Sequence, residues 1–326
     1  MQTSAQHNGA PPLRGNSPAI RRVLLRAEKV APTDVTVLLM GPTGTGKTTL
    51  AKWIHEHSSR AGKPFVHINC AALPEGLFES EVFGHKRGAF SGATQDKVGL
   101  LQAAIGGTVF LDEFAELATH LQAKLLLALE EGCIRRVGGT GDERIDVRVI
   151  AATNQPKSRF REDVFRRLNQ FRIDMPAVRE LGDDVLLLAT HEAEEMGCAL
   201  SAEAERWILE YSWPGNVRQL QNAIKAGSVM AEEGVIPVEE LMYSVAMDGE
   251  SKDRGNEDEG VDGLDLVDIF GPGPVRAREV AEDLGIHSTT AQRRLRREGW
   301  EQTGAGRSST WIMACADSGF PDKCGP

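Results

Sequence analysis

The chain has 326 residues, 41% hydrophobic and 26% charged, a balance that suits a globular protein with room for about two domains. Its net charge of −10 argues against non-specific nucleic-acid binding by the molecule as a whole, and its longest apolar runs, Val35–Met40 and Val185–Ala189, fall far short of the roughly 18 residues a membrane span needs. A polar N-terminus without an apolar signal core, and five cysteines (Cys70, Cys133, Cys198, Cys315, Cys324) without metal-ligand spacing, predict a cytoplasmic chain with free thiols.

Residues 1–16 read as a disordered polar tail. From Ile20 onward apolar strands alternate with amphipathic helices: strand Val35–Met40, loop 41–46, a helix from Lys47, then strands Pro64–Asn69, Thr108–Asp112 and Val147–Thr153 with helices between them. This alternation predicts an α/β domain over 17–178 with a parallel sheet covered on both faces. The pattern then turns wholly helical over 179–245, with helices Asp184–Met196, Ala202–Tyr211 and Val217–Met230 and a short one near Val238–Ser244. Residues 246–262 are acidic and Gly-rich, a linker by composition. A small module at 263–314 carries Arg-Arg-Leu-Arg-Arg at 293–297, and 315–326 form a tail.

GPTGTGKT at 41–48 fits G-x-x-x-x-G-K-[ST], directly after an apolar strand and opening a helix, the context that marks a phosphate loop. Gly41, Gly44 and Gly46 let the backbone turn its N–H groups inward around phosphate, with Pro42, Thr43 and Thr45 completing the loop. The helix N-terminus adds favourable partial charge. Lys47 reaches toward the β/γ-phosphates of ATP, and the Thr48 hydroxyl is placed to ligate Mg²⁺. Asp112 and Glu113 end the strand VFLDE at 109–113, where one carboxylate can hold the Mg²⁺ shell and the next can orient or deprotonate water. Between these two halves lies a Gly/Ala-rich hexapeptide, Gly88-Ala89-Phe90-Ser91-Gly92-Ala93, whose single aromatic ring has nothing local to pack against.

In that setting the hexapeptide resembles the GAFTGA loop of the AAA+ activators that remodel the sigma-54 form of bacterial RNA polymerase, a resemblance running from about Ser17 to Val245. It implies an ATPase with a helical lid at 179–245, working as a homo-hexamer, with Gly88–Ala93 contacting sigma-54. By the same resemblance, Asn69 matches the position that hydrogen-bonds and gates the catalytic glutamate, although by itself it reads as a loop-capping residue. Asn154, ending VRVIAATN, matches the γ-phosphate sensor. FREDVFRRL at 160–168 is similar to the family's arginine-finger segment, making Arg161 and Arg167 the finger candidates. Arg218, in WPGNVR at 213–218, matches the lid arginine that contacts nucleotide in cis. The chain departs from the pattern in places. Pro42 and Thr48 stand where glutamate is usual, Ser91 replaces Thr, and Gln219 replaces Glu. Leu127 stands where Arg is common, and Arg135 where an acidic residue is. Only five residues separate Asn154 from Phe160, fewer than the family has.

Residues 275–298 read as helix, turn, helix. Gly285 supplies the turn, Ser288 or Thr289 caps the second helix, and Gln292, Arg293, Arg296 and Arg297 lie on its exposed side, suited to phosphates and guanine edges. Two short alternating segments around Gly304–Arg307 predict a β-hairpin wing, with Arg307 at its turn. The leading reading is therefore an ATP-hydrolysing activator that binds DNA upstream of a promoter and drives sigma-54 holoenzyme from closed to open complex. A remodeller of another protein target, and a DNA-binding regulator that no longer contacts sigma-54, stay open on the sequence. The 16 residues ahead of Ser17 are too few for a receiver domain, which predicts control by expression level or by a partner protein acting in trans.

Overall fold

The computed structural model describes residues 13–231, 233–252, 300–303 and 310–313, in two compact units divided after Ser251. The elements of the first unit run α1 (Pro18–Val30), β1 (Val37–Met40), α2 (Lys47–Glu56), β2 (Phe65–Asn69), α3 (Glu75–Val82), β3 (Gly84–His85), β4 (Lys97–Val98), α4 (Leu100–Ala103) and β5 (Thr108–Asp112). There follow α5 (Thr119–Glu131), β6 (Cys133–Arg135), β7 (Asp142–Arg144), β8 (Arg148–Thr153), α6 (Glu162–Leu168) and β9 (Phe171–Asp174). The helical part is α7 (Asp184–Glu195), β10 (Ala199–Leu200), α8 (Ala202–Glu210), α9 (Asn216–Val229), β11 (Val235–Ile236) and α10 (Val238–Lys252).

Five strands form a parallel sheet in the order β2-β5-β8-β1-β9. The apolar runs of the three inner strands, β5, β8 and β1, are nearly continuous because both faces are covered. Val37, Leu39, Phe110, Ile150 and Ala152 pack against α1 and α2. Leu38, Val109, Leu111, Val149 and Ala151 pack against the α3–α6 side. Parallel pairing brings the carboxyl ends of β1, β8 and β5 to one edge, so the loops after Met40, Thr153 and Asp112 meet there, where ligands of open α/β sheets bind. The buried Arg148 fixes α1 against this sheet by donating to the carbonyls of Ala31 (2.7 Å) and Val30 (2.9 Å), a cation at a helix C-terminus.

A separate core of Ile20, Leu181, Val185, Ala189, Ile208, Trp213, Leu220 and Ile224 holds the helical part together. Three details differ from the sequence reading. Residues 13–16, expected in the tail, are placed against α7, with the Asn16 and Ser17 N–H groups donating to Asp184 at 2.7 Å each. α10 runs past Ser244 to Lys252, through residues whose acidic composition suggested linker. A fifth sheet strand, β9, pairs with β1 from Phe171 to Asp174. Among the described residues no helix is long and apolar enough to cross a membrane, and Cys70, Cys133 and Cys198 are unpaired.

In the second unit, β12 (Trp300–Thr303) and β13 (Thr310–Met313) pair antiparallel, with Trp300 opposite Met313, as the alternating segments predict. The helices expected over 275–298, with Ser288, Thr289, Gln292, Arg293, Arg296 and Arg297, lie outside the described residues, as does Arg307.

Candidate nucleotide site and exposed loop

The phosphate loop is built by close backbone approaches. Gly41 has φ 152°, and a Cβ there would meet the Met175 carbonyl oxygen at 2.5 Å. Gly44 has φ 80°, and a Cβ there would meet the Gly215 carbonyl oxygen at 2.4 Å. Only glycine satisfies both the turn and the approach. Gly46 (φ 91°) caps α2, so the loop empties into a helix N-terminus. Lys47, 6% exposed, donates to the carbonyls of Gly41 (2.9 Å) and Pro42 (3.0 Å). Burial pushes its pKa down, while Glu113 and Asp112 pull it up.

Opposite the loop, Asp112 ends β5 with Oδ2 3.4 Å from Thr48 Oγ1 and Oδ1 accepting from the Glu113 N–H at 3.1 Å. Glu113 is left-handed, at φ 50° and ψ 44°, and its Oε2 is buried without a hydrogen-bond partner. Burial raises its pKa and Asp112 adds to the rise, while Lys47 and the Asn154 backbone N–H oppose it. Asn154 donates from Nδ2 to Thr43 Oγ1 at 3.0 Å, tying the end of β8 to the loop. Asn69 Oδ1 accepts from the Ala71 N–H at 3.1 Å, the loop-capping geometry. Its backbone pairs in register with Asp112.

The helical part closes over the loop through its backbone. The Arg218 N–H donates to the Gly44 carbonyl at 3.2 Å. Asn216 donates from Nδ2 to the Thr43 carbonyl (2.9 Å) and accepts from the Val178 N–H (3.0 Å). Trp213 and Asn216 both have positive φ, 48° and 55°, so the chain bends sharply here to aim Asn216 at the loop. A cavity of about 260 Å³ adjoins the phosphate loop, lined by Leu13, Ile20, Thr45, Thr49, Leu181, Val217 and Leu220 among others. The polar end at Lys47 and this partly apolar cavity together suit a ligand with an anionic chain and a flat apolar body.

The hexapeptide tops the β3–β4 hairpin, inserted between β2 and β5. It is closed by its own hydrogen bonds, Gly88 N–H to the Ala93 carbonyl (2.8 Å) and Ala93 N–H to the Phe90 carbonyl (3.0 Å). Phe90 is 42% exposed. It does have one local contact, edge-on to His85 with centroids 5.0 Å apart. The β6–β7 hairpin braces this loop: the Lys86 N–H donates to the Val137 carbonyl at 3.0 Å, and Gly138 lies so close to Ala89 that a Cβ there would sit 2.7 Å from the alanine's own.

Residues 13–174 match the sigma-54 interaction domain and residues 179–258 match the AAA+ ATPase lid domain. The chain belongs to the sigma-54-interacting family of AAA+ ATPases. It is 49% identical over 228 residues to the nitric oxide reductase transcription regulator NorR1 of Cupriavidus necator, covering 66% of this chain and 44% of that protein. It is 42% identical over 249 residues to the Nif-specific regulatory protein of Azotobacter vinelandii, covering 73% and 48%. The chain thus spans about half the length of the curated relatives it matches. Among solved structures, NtrX from Brucella abortus in complex with ADP is similar at a TM-score of 0.66 and 29% identity, covering 88% of this chain and 70% of that chain. Its complex with ATP gives 0.65 and 28%, covering 88% and 69%.

Within this AAA+ module the two finger candidates lie away from the loop. Arg161 caps α6 and forks onto Asp163 at 3.0–3.1 Å, and Arg167 pairs with Glu130 on α5. Among the described residues neither touches the phosphate loop. The short stretch after Asn154 forms one 3-10 turn, Lys157–Arg159, and delivers Phe160 into the core against Phe114 (6.1 Å) and Phe165 (5.6 Å). Gln219 Oε1 accepts from the Gly215 N–H at 3.0 Å, so it serves the bend rather than the nucleotide site. Arg135 pairs across its hairpin with Asp142, and Leu127 is 52% exposed. Two residues at the site had no functional reading in the sequence. Asn216 lies within WPGNVR, where Arg218 alone carries a family match, and His67, 3.2 Å from Asp112, carries no motif signal.

Proposed function

We propose that this chain hydrolyses ATP and uses the cycle to move the Gly88–Ala93 loop against sigma-54, converting a closed promoter complex to an open one. The carrying observation is that loop: a self-closed turn presenting a 42% exposed Phe90 from a hairpin inserted between two strands of the nucleotide site. Exposed aromatics at loop tips bind partners. Lys47 and the loop N–H groups would cradle the phosphates, with the base in the adjoining cavity. The oxygens of Thr48 and Asp112 are the hard donors Mg²⁺ prefers; bound there, the ion would neutralise phosphate charge. Glu113, its pKa raised by burial, would orient and deprotonate the attacking water. Asn154 and Asn216, both bonded to Thr43, would report the state of the loop to β8 and to the lid. Arg161 and Arg167 would act on a neighbouring subunit's nucleotide in a homo-hexamer.

Residues 263–314 are proposed to bind DNA upstream of the promoter, a reading supported by the helix-turn-helix pattern and the antiparallel β12–β13 pair. The test of the central claim is Phe90→Ala assayed in one preparation for ATP turnover, assembly, sigma-54 binding and open-complex formation. Turnover and assembly are expected near wild type, with sigma-54 binding and open complexes lost. Loss of turnover would place Phe90 in internal packing; retained activation would mean a different target.

A further inference from the structure

Asp112 is held by more than its own loop. β2 pairs with β5 so that His67 lies opposite Phe110 and Asn69 opposite Asp112. Residues two apart on a strand share a face, so His67 and Asp112 emerge on the same side of the sheet. The imidazole lies against Phe110, centroids 4.9 Å apart, and reaches Asp112 Oδ2 with Nε2 at 3.2 Å. A carboxylate only accepts, so Nε2 carries the proton in this contact. The same Oδ2 lies 3.4 Å from Thr48 Oγ1, while Oδ1 is held by the Glu113 N–H.

The carboxylate torsion of an aspartate is soft. A Thr48 hydroxyl that binds Mg²⁺ through its oxygen keeps its proton for Oδ2, so His67, at the shorter 3.2 Å contact, is the second side chain fixing that oxygen. The imidazole's contacts are the Phe110 ring and the Asp112 carboxylate. We infer that His67 is a positioning residue of the nucleotide site, orienting Asp112 so that its free lone pair faces the divalent ion. This rests on the ATP–Mg²⁺ reading given above.

The test uses the full chain as wild type, His67→Leu and His67→Gln. Leucine keeps bulk beside Phe110 and removes the donor, whereas glutamine carries an amide N–H to about the same reach. Mn²⁺ binding is followed by electron paramagnetic resonance in the presence of a non-hydrolysable ATP analogue, and analogue affinity is measured separately in EDTA. Loss of an outer-shell partner typically weakens metal binding 10- to 100-fold, so His67→Leu is expected to raise the Mn²⁺ midpoint about tenfold or more and His67→Gln far less. Affinity in EDTA is expected to be the same for all three. An unchanged midpoint in His67→Leu, equal losses in both variants, or a parallel fall of affinity in EDTA would each overturn the inference. If the wild type itself takes up no Mn²⁺ with the analogue, the nucleotide-site reading falls with it.

Discussion

Glu113 occupies a left-handed backbone conformation that costs about 1–3 kcal/mol for a non-glycine residue, and it buries a carboxylate oxygen with no partner. Burial holds its folded-state pKa above the ordinary glutamate value. The stability linked to this group is therefore fully present below the unfolded pKa and lost as pH rises through the folded one. At neutral pH the ionised side chain works against the fold. Glu113→Gln is expected to raise the melting temperature of the nucleotide-free protein at neutral pH, with the gain shrinking as acid protonates the wild type, while ATP binds and turnover collapses. A melting temperature at or below wild type at pH 7 would show that the charge is not what the fold resists. Lys47, Asp112 and Glu113 were legible in the sequence because a phosphate loop and an acidic strand end keep fixed spacings whatever surrounds them. His67 and Asn216 were not, because the first depends on the register between two strands and the second on where a distant helix docks.

At the scale of elements, the strands with long apolar runs were legible to within two residues at either end, since those runs carry few polar interruptions. β9 was missed because Phe171–Asp174 mixes charge with apolar residues, as a four-residue strand at the edge of the sheet can. The two-residue strands β3 and β4 are too short to show a period. The strap formed by residues 13–17 was hidden for another reason: its fold comes from a partner far along the chain. Burial would raise the Asp184 pKa, but the Asn16 and Ser17 donors and the nearby Arg21 hold it below the ordinary aspartate value. That stabilisation is present above the unfolded pKa and lost as pH falls through the folded one. Asp184→Asn keeps one acceptor and removes the charge, so a loss of about 1–3 kcal/mol is expected at neutral pH. Melting curves should converge for the two proteins in acid. If the gap persists at low pH, shape rather than charge holds the strap.

For the molecule as a whole, the proposed homo-hexamer predicts that the chemistry draws on more than one copy of the chain. Lys47, Thr48, Asp112 and Glu113 converge at the carboxyl edge of the sheet, where Arg218 donates its backbone N–H to the Gly44 carbonyl and brings its charge to bear on Lys47. Phosphoryl transfer in this class draws on a cation that stabilises the charge developing on the transferred group. Arg161 and Arg167 sit on and beside α6 in surface ion pairs that contribute little to stability, so exchanging these partners for another subunit's nucleotide costs the fold little. Arg161→Ala and Arg167→Ala are each expected to bind ATP normally and to lose turnover. Lys47→Ala is expected to lose turnover from the opposite half of the same composite site. Mixing either arginine variant with Lys47→Ala then creates interfaces that pair an intact phosphate loop with an intact arginine, so turnover should return to a fraction of wild type and peak at an intermediate mixing ratio. Silence at every ratio, with assembly of the mixed species verified by light scattering, would show that these arginines do not act across an interface. Full turnover by either arginine variant alone would remove that residue from the chemistry.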